Sequence, residues 1–198
     1  MVLARQAGHA KTMEDLFTSA RLGLMPVEKF VQDAASLLSG LSVSAIQETI
    51  PLLPLRLGAE DLVRQLRRNG ISVVIISHGI RQWIEAATTS LNVDAILASR
   101  LLEYDGTFTG NVDGAMLSTI DKLRALEREA ALRCIPLTQC AAVGDGANDY
   151  DMLAAVGMPI GFNPAEVLKE IPRLRIVTGE SLKPVANVLL QTIGENIQ

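Results

Sequence analysis

Apolar residues recur at three- and four-residue intervals over Thr12–Arg21 and again over Val27–Leu38, the spacing that lines one face of a helix. Pro26 suits the first turn of the second stretch, and Gly23 and Gly40 suit the stops. The first fifty residues therefore predict an all-helical segment. Pro51 and Pro54 interrupt any helix on either side, which predicts a helical cap over residues 1–54 and a second unit over residues 55–198. In that second unit short β-branched runs alternate with amphipathic stretches. Ile71–Ile76, Ala95–Ala98, Cys140–Gly144, Pro159–Phe162 and Arg175–Thr178 read as strands, and Ala59–Arg68, Ile80–Leu91, Ser118–Arg133 and Asp149–Val156 as helices. Such alternation predicts βαβ units and an α/β fold with a Rossmann-like parallel sheet. Asp105-Gly106, between Leu101-Leu102 and Phe108, predicts a hairpin turn and an antiparallel ornament on that sheet.

Composition narrows the function. With 48% hydrophobic and 20% charged residues the 198-residue chain is not disordered. Its 18 basic against 22 acidic side chains and 4% aromatics supply neither the positive field nor the stacking platforms of a nucleic-acid binder. No apolar stretch approaches the roughly 20 residues of a membrane span, and the N-terminus lacks the apolar core of a secretory signal. A cytoplasmic protein without a membrane partner is expected, with an oligomer left open. Cys134 and Cys140 have no paired metal spacing and are expected to be buried thiols.

In open parallel sheets ligands bind beyond the carboxyl ends of the strands, so strand ends are where chemistry is sought. Ile71–Ile76 runs into Ser77-His78-Gly79, which places a hydroxyl and free backbone N–H groups at a strand-to-helix turn. That geometry suits an anion and equally suits a simple serine cap. A serine-hydrolase elbow is excluded, since Ile75 stands where the required Gly would be. The strand Cys140–Val143 runs into Gly144-Asp145-Gly146-Ala147-Asn148-Asp149-Tyr150-Asp151, three carboxylates and an amide at a helix start. Oxygen ligands on a glycine-flexed loop suit Mg2+, with Asp145 as the direct ligand, although acids in a first helical turn also serve as caps. An EF-hand loop is excluded by Tyr150 at its sixth position and Val156 at its twelfth. Lys122 lies early on the Ser118–Arg133 helix, either as a solvated charge or as the cation that neutralises a phosphate. His9 and Trp83 read as packing residues.

Taken in order, Ile76-Ser77-His78-Gly79, Lys122 and Val143-Gly144-Asp145-Gly146-Ala147-Asn148-Asp149 resemble three successive motifs of the haloacid dehalogenase superfamily, in its phosphoserine phosphatase-like branch. Ala98-Ser99-Arg100-Leu101, Asp105–Gly110 and the stretches Gly23–Val27 and Leu37–Leu41 extend the likeness along the whole chain. The resemblance implies a haloacid dehalogenase-like core under a helical cap and a Mg2+-dependent hydrolase of small phosphate monoesters, working through an aspartyl-phosphate. It also implies roles for individual residues. Ser77, His78, Gly79, Lys122 and Asn148 would bind the phosphate of a small phosphorylated metabolite, Ser77, Lys122 and Asp149 would take part in catalysis, and Asp145 and Asp149 would hold the metal.

Two departures qualify those implications. The family's nucleophile sits in a D-x-D-x-T motif at the end of its first strand, and no such motif occurs here. Glu103-Tyr104-Asp105-Gly106-Thr107 and Asp149-Tyr150-Asp151 copy parts of its spacing, but the first reads as a hairpin turn and the second as a helix start. The first core strand is thus expected to be missing from a sheet in which it would be central. Burying its five or so apolar side chains would be worth about 10 kcal/mol, comparable to a domain's whole stability. A truncated or mis-started phosphatase, inactive by itself, is expected, or a relative whose gap another segment or subunit fills. The rival expectation is a non-catalytic Mg2+- and phosphate-binding or interaction protein. The second departure is Ala34, which occupies the cap position where this branch carries a carboxylate-binding Arg, so phosphoserine itself is a doubtful substrate.

Overall fold

The computed structural model describes residues 2–49, 55–114 and 118–195, so the predicted boundary at Pro51–Pro54 falls outside the described residues. Four helices precede it: α1 (Val2–Gln6), α2 (Ala10–Arg21), α3 (Val27–Ser36) and α4 (Ala45–Thr49). The remainder runs α5 (Ala59–Arg68), β1 (Val74–Ile80), α6 (Arg81–Ala87), β2 (Ala95–Tyr104), β3 (Thr107–Asp113), α7 (Thr119–Leu132), β4 (Ala141–Gly144), α8 (Tyr150–Ala155), β5 (Met158–Phe162), β6 (Arg175–Val177) and α9 (Lys183–Glu195). The α/β class and the parallel pairing of β1 with β2, β4 with β5 and β5 with β6 agree with the alternation in the sequence.

Asp105 and Gly106 both take positive φ, the pair of left-handed residues that a tight hairpin between twisted strands requires. The β2–β3 hairpin is more than an ornament. Its Leu101 and Phe108 are buried in one cluster with Leu3, Ala35, Leu38, Ala45 and Ile46, so it is the surface on which the helical segment packs. Main-chain bonds from Gly40 N to Phe108 O (2.8 Å) and from Val43 N to Gly106 O (3.0 Å) lock the two together.

The six strands form two three-stranded sheets, ordered β1-β2-β3 and β4-β5-β6. Two shared apolar clusters tie β1 and β4 together. Ile71 and Val73, leading into β1, pack on the cluster of Ile160, Phe162 and Val177 with Leu66 of α5 and Val185 of α9. On the other face Ile76 packs with Ala142 of β4 and Met152 and Leu153 of α8. Yet β1 and β4 are not hydrogen-bonded to each other. The sheet expected to lack a central strand is interrupted between the two strands that lead into the candidate site, and Val143 of β4 stays 38% exposed where a parallel strand is ordinarily buried on both faces.

Two further expectations change. Cys134 is exposed and Cys140 half-buried, so neither is a buried thiol. The predicted helix over Ile80–Leu91 is shorter, because β1 carries on through Ile80, which pairs with Ser99 after an irregularity in the ladder beyond Ser77. No described helix is long and apolar enough to cross a membrane.

Candidate active site

Ser77, His78 and Gly79 were expected at a strand-to-helix turn but form a bulge inside β1, and α6 begins only at Arg81. Bulges re-aim side chains, and here the imidazole of His78 is buried between half-buried Ser77 and exposed Gly79. The Ser77 hydroxyl oxygen accepts the Gly79 N–H at 3.0 Å, the local serine turn that the sequence had left open. A Cβ at residue 79 would lie 3.1 Å from Ser77 Oγ and 3.3 Å from Ile84 Cδ1, so the glycine lets the bulge close.

His78 links the three site segments. Its Nε2 lies 3.0 Å from the carbonyl oxygen of Ser118, and its Nδ1 lies 3.1 Å from Nδ2 of Asn148. A carbonyl only accepts, so the network assigns the proton to Nε2 and leaves Nδ1 to accept from the Asn148 amide. Burial and the nearby Lys122 ammonium push the imidazole down to about 4, which keeps it neutral near pH 7. Ser118 is also the N-cap of α7, where Asp121 Oδ2 accepts both its N–H (2.7 Å) and its hydroxyl (2.8 Å). The start of α7, and with it Lys122 one residue after Asp121, is thereby fixed against the β1 bulge.

Lys122 and Asp149 are 6% and 5% exposed, and Nζ donates to Oδ1 at 2.7 Å. The other carboxylate oxygen of Asp149 accepts the N–H groups of Asp145 (3.0 Å) and Gly146 (3.1 Å). This packing explains the glycines of the loop: a Cβ at Gly144 would stand 2.6 Å from Asp149 Cγ, and one at Gly146 2.8 Å from Asn148 Oδ1. The geometry thus brings Lys122, Asp149, Asn148, His78 and the backbone of Asp145 to one rim.

The expected metal ligands are arranged otherwise. Asp149 spends both oxygens on Lys122 and two amides, which makes it a brace for the loop rather than a ligand. Asp145 is half-exposed, and its Oδ2 accepts from Nε of Arg21 at 2.9 Å. Mg2+ calls for one or two carboxylates with coordination sites to spare. Among the described residues no group of three His, Cys, Asp or Glu side chains is placed to hold a metal ion. As arranged, the residues do not fit Mg2+.

Arg21 is the site residue that sequence reasoning missed. It ends α2, is separated from Asp145 by 124 positions, and also donates from Nη2 to the carbonyl oxygen of Asn163 at 2.8 Å. Nothing in its local sequence distinguishes it from a basic residue closing a helix. Beside it opens a cavity of about 540 Å³ lined by Phe17, Arg21, Arg56, Val143, Asp145 and Phe162, with the Arg56 guanidinium 5.3 Å above the Phe162 ring.

The haloacid dehalogenase-like hydrolase family model matches residues 3–154. Phosphoserine phosphatases of Streptomyces coelicolor and Methanocaldococcus jannaschii are 35% and 32% identical over 85% of this chain, which spans 41% of the first and 80% of the second. The phosphoserine phosphatase SerB2 of Mycobacterium tuberculosis is 34% identical over 86% of this chain and 42% of its own length. The chain therefore spans about two-fifths of the two actinobacterial relatives. A solved substrate-bound phosphoserine phosphatase superposes with a TM-score of 0.88 at 29% identity, over 94% of this chain and 88% of that one. With a profile running from the first helix into α8 and relatives of one kind, the chain belongs to the haloacid dehalogenase-like hydrolases, on their phosphoserine phosphatase-like branch.

Proposed function

We propose that this chain carries the phosphate-facing half of a phosphomonoesterase that acts on a small phosphorylated metabolite. The observation behind this reading is the buried Lys122–Asp149 pair, set at the same rim as the β1 bulge. A buried ammonium meets the charge of a phosphoryl group, and Asp149 holds it in place while bracing the Asp145 loop. Ser77 binds phosphate through its hydroxyl proton, its oxygen being occupied by Gly79. His78 acts through its ring, orienting Asn148 and anchoring the start of α7.

A carboxylate nucleophile is the part this chain lacks. Glu103 and Asp105 are exposed near the hairpin turn and Asp151 sits in the first turn of α8, so none replaces the absent D-x-D-x-T motif. We therefore expect residues 1–198 alone to turn over no phosphomonoester. Half-buried Ala34 on α3 offers no cation to a substrate carboxylate, which weighs against phosphoserine and leaves another small phosphate monoester as the alternative. The ion pair on Asp145 favours the second reading, a phosphate-binding protein without turnover.

Calorimetric titration with inorganic phosphate, beside an aryl phosphate assay with Mg2+, tests these readings. Ser77→Ala is expected to weaken phosphate binding about tenfold or more, the worth of one hydrogen bond to a charged group, and to lower stability by about 1 kcal/mol through loss of the acceptor for the Gly79 N–H. Unchanged affinity refutes the phosphate site. Turnover that Asp145→Asn abolishes and Glu103→Gln leaves intact refutes the expected inactivity.

A further inference from the structure

The cavity beside Asp145 differs in charge from the chain around it. The protein carries a formal net charge of -4, yet this wall sets two guanidiniums, Arg21 and Arg56, against the one carboxylate of Asp145. Arg21 is committed to that carboxylate and to the Asn163 carbonyl, at 2.9 and 2.8 Å. Arg56 has no ion-pair partner among the described residues, so its charge is the one left uncompensated. It lies over the ring of Phe162, 5.3 Å from the centroid. Stacking spends only the face of a guanidinium, and the N–H donors that radiate in its plane stay available to an oxyanion. The other walls are apolar: Phe162 is buried, Val143 is partly exposed, and the exposed Phe17 meets Phe30 edge-on with ring centroids 6.3 Å apart. A volume of about 540 Å³ is in the range that takes a small organic molecule, far more than an inorganic ion fills. Gly144 and Asp145 line this cavity and also begin the loop that Asp149 braces, so the cavity opens onto the phosphate-facing rim.

We propose that this cavity receives the body of the metabolite and that Arg56 takes a second anionic group at its far end. The substrate class is then a phosphate monoester with an apolar body and a further negative charge of its own. This rests on the phosphatase-like reading of the rim and names the kind of substrate it takes. The cation comes from the stretch before α5 rather than from α3, where Ala34 supplies none. A positive wall in an acidic protein attracts the anion and fixes which end of the ligand enters the cavity, while Phe17, Val143 and Phe162 cover the apolar part between the two charges.

Calorimetric titration with two aryl phosphates reads this as a ratio within one protein. The para-carboxyphenyl and para-carbamoylphenyl phosphates share their shape and their phosphate and differ in the charge at the far end. The wild type is expected to bind the carboxylate about five- to tenfold more tightly, the worth of a charged hydrogen bond at a partly solvated guanidinium. Arg56→Gln should bring that ratio to about one, and Arg56→Lys, which keeps the charge but loses the planar fork, should leave it in between. Because both ligands meet the same folded protein, any change in stability caused by the substitution cancels from the ratio. Equal or reversed affinities in the wild type, or a preference that Arg56→Gln leaves intact, overturn Arg56 as the partner of the anion. With inorganic phosphate still bound, that result leaves the phosphatase-like reading standing. Failure of inorganic phosphate and of both aryl phosphates to bind overturns the reading and the substrate class together.

Discussion

Protonating His78 is the perturbation whose cost the structure defines best. In the folded chain Nε2 donates to Ser118 and Nδ1 accepts from Asn148, so a second ring proton on Nδ1 would face the Asn148 amide donor. It would also place a positive charge in a buried site beside the Lys122 ammonium. These causes lower the imidazole from its ordinary 6.5 to about 4, a difference worth about 3 kcal/mol at about 1.4 kcal/mol per decade of acidity. The unfolded chain binds this proton more readily, so the contribution is fully present above about pH 6.5. It declines as pH falls through the window between 6.5 and about 4 and is gone below that. Urea unfolding of the wild type and of His78→Gln from pH 7.5 to pH 3.5 measures it, because glutamine supplies a donor and an acceptor without titrating. Carboxylates common to both proteins, Asp121 and Asp149 among them, cancel in the difference. The advantage of the wild type over His78→Gln should shrink by about 3 kcal/mol across that range. Parallel pH profiles, or an imidazole seen by NMR to titrate near 6.5 in the folded protein, would refute the reasoning.

The buried ion pair supports a second test. Lys122→Met strands the Asp149 carboxylate, for an expected loss of about 3 kcal/mol in chemical denaturation, and adding Asp149→Asn should restore at least half of it. Gly144→Ala places a methyl group against Asp149. It is expected to cost about 2 kcal/mol or more and to weaken phosphate binding in the calorimeter, whereas the same change at Gly70, where an added Cβ meets nothing, should cost less through backbone strain alone and leave phosphate binding intact.

Much of the core could be read from the sequence because its signals are local. The strand at Met158–Phe162 and the helix at Ala59–Arg68 follow from runs of apolar residues and a glycine stop, and Asp105-Gly106 states its turn outright. The Asp145–Asp149 loop stood out by residue type, since carboxylate and glycine each carry a chemical requirement, whereas Lys122 read alone as a solvated helix charge and gained a role only through the family resemblance. The β1 bulge was not legible, because it depends on where Ser118 and Asn148 come to lie, 40 and 70 positions from His78. Arg21 was invisible for the same reason. Asp149 was assigned to metal on its chemistry, but the oxygens of a carboxylate go to whichever donors the fold delivers first.

The interruption between β1 and β4 has a bearing on handling the molecule. Each strand makes its ladder on one side only among the described residues, and a row of amides and carbonyls without ladder partners is adhesive toward any extended backbone. Copies of this polypeptide are therefore expected to associate as their concentration rises, which sedimentation would show as a growing mass.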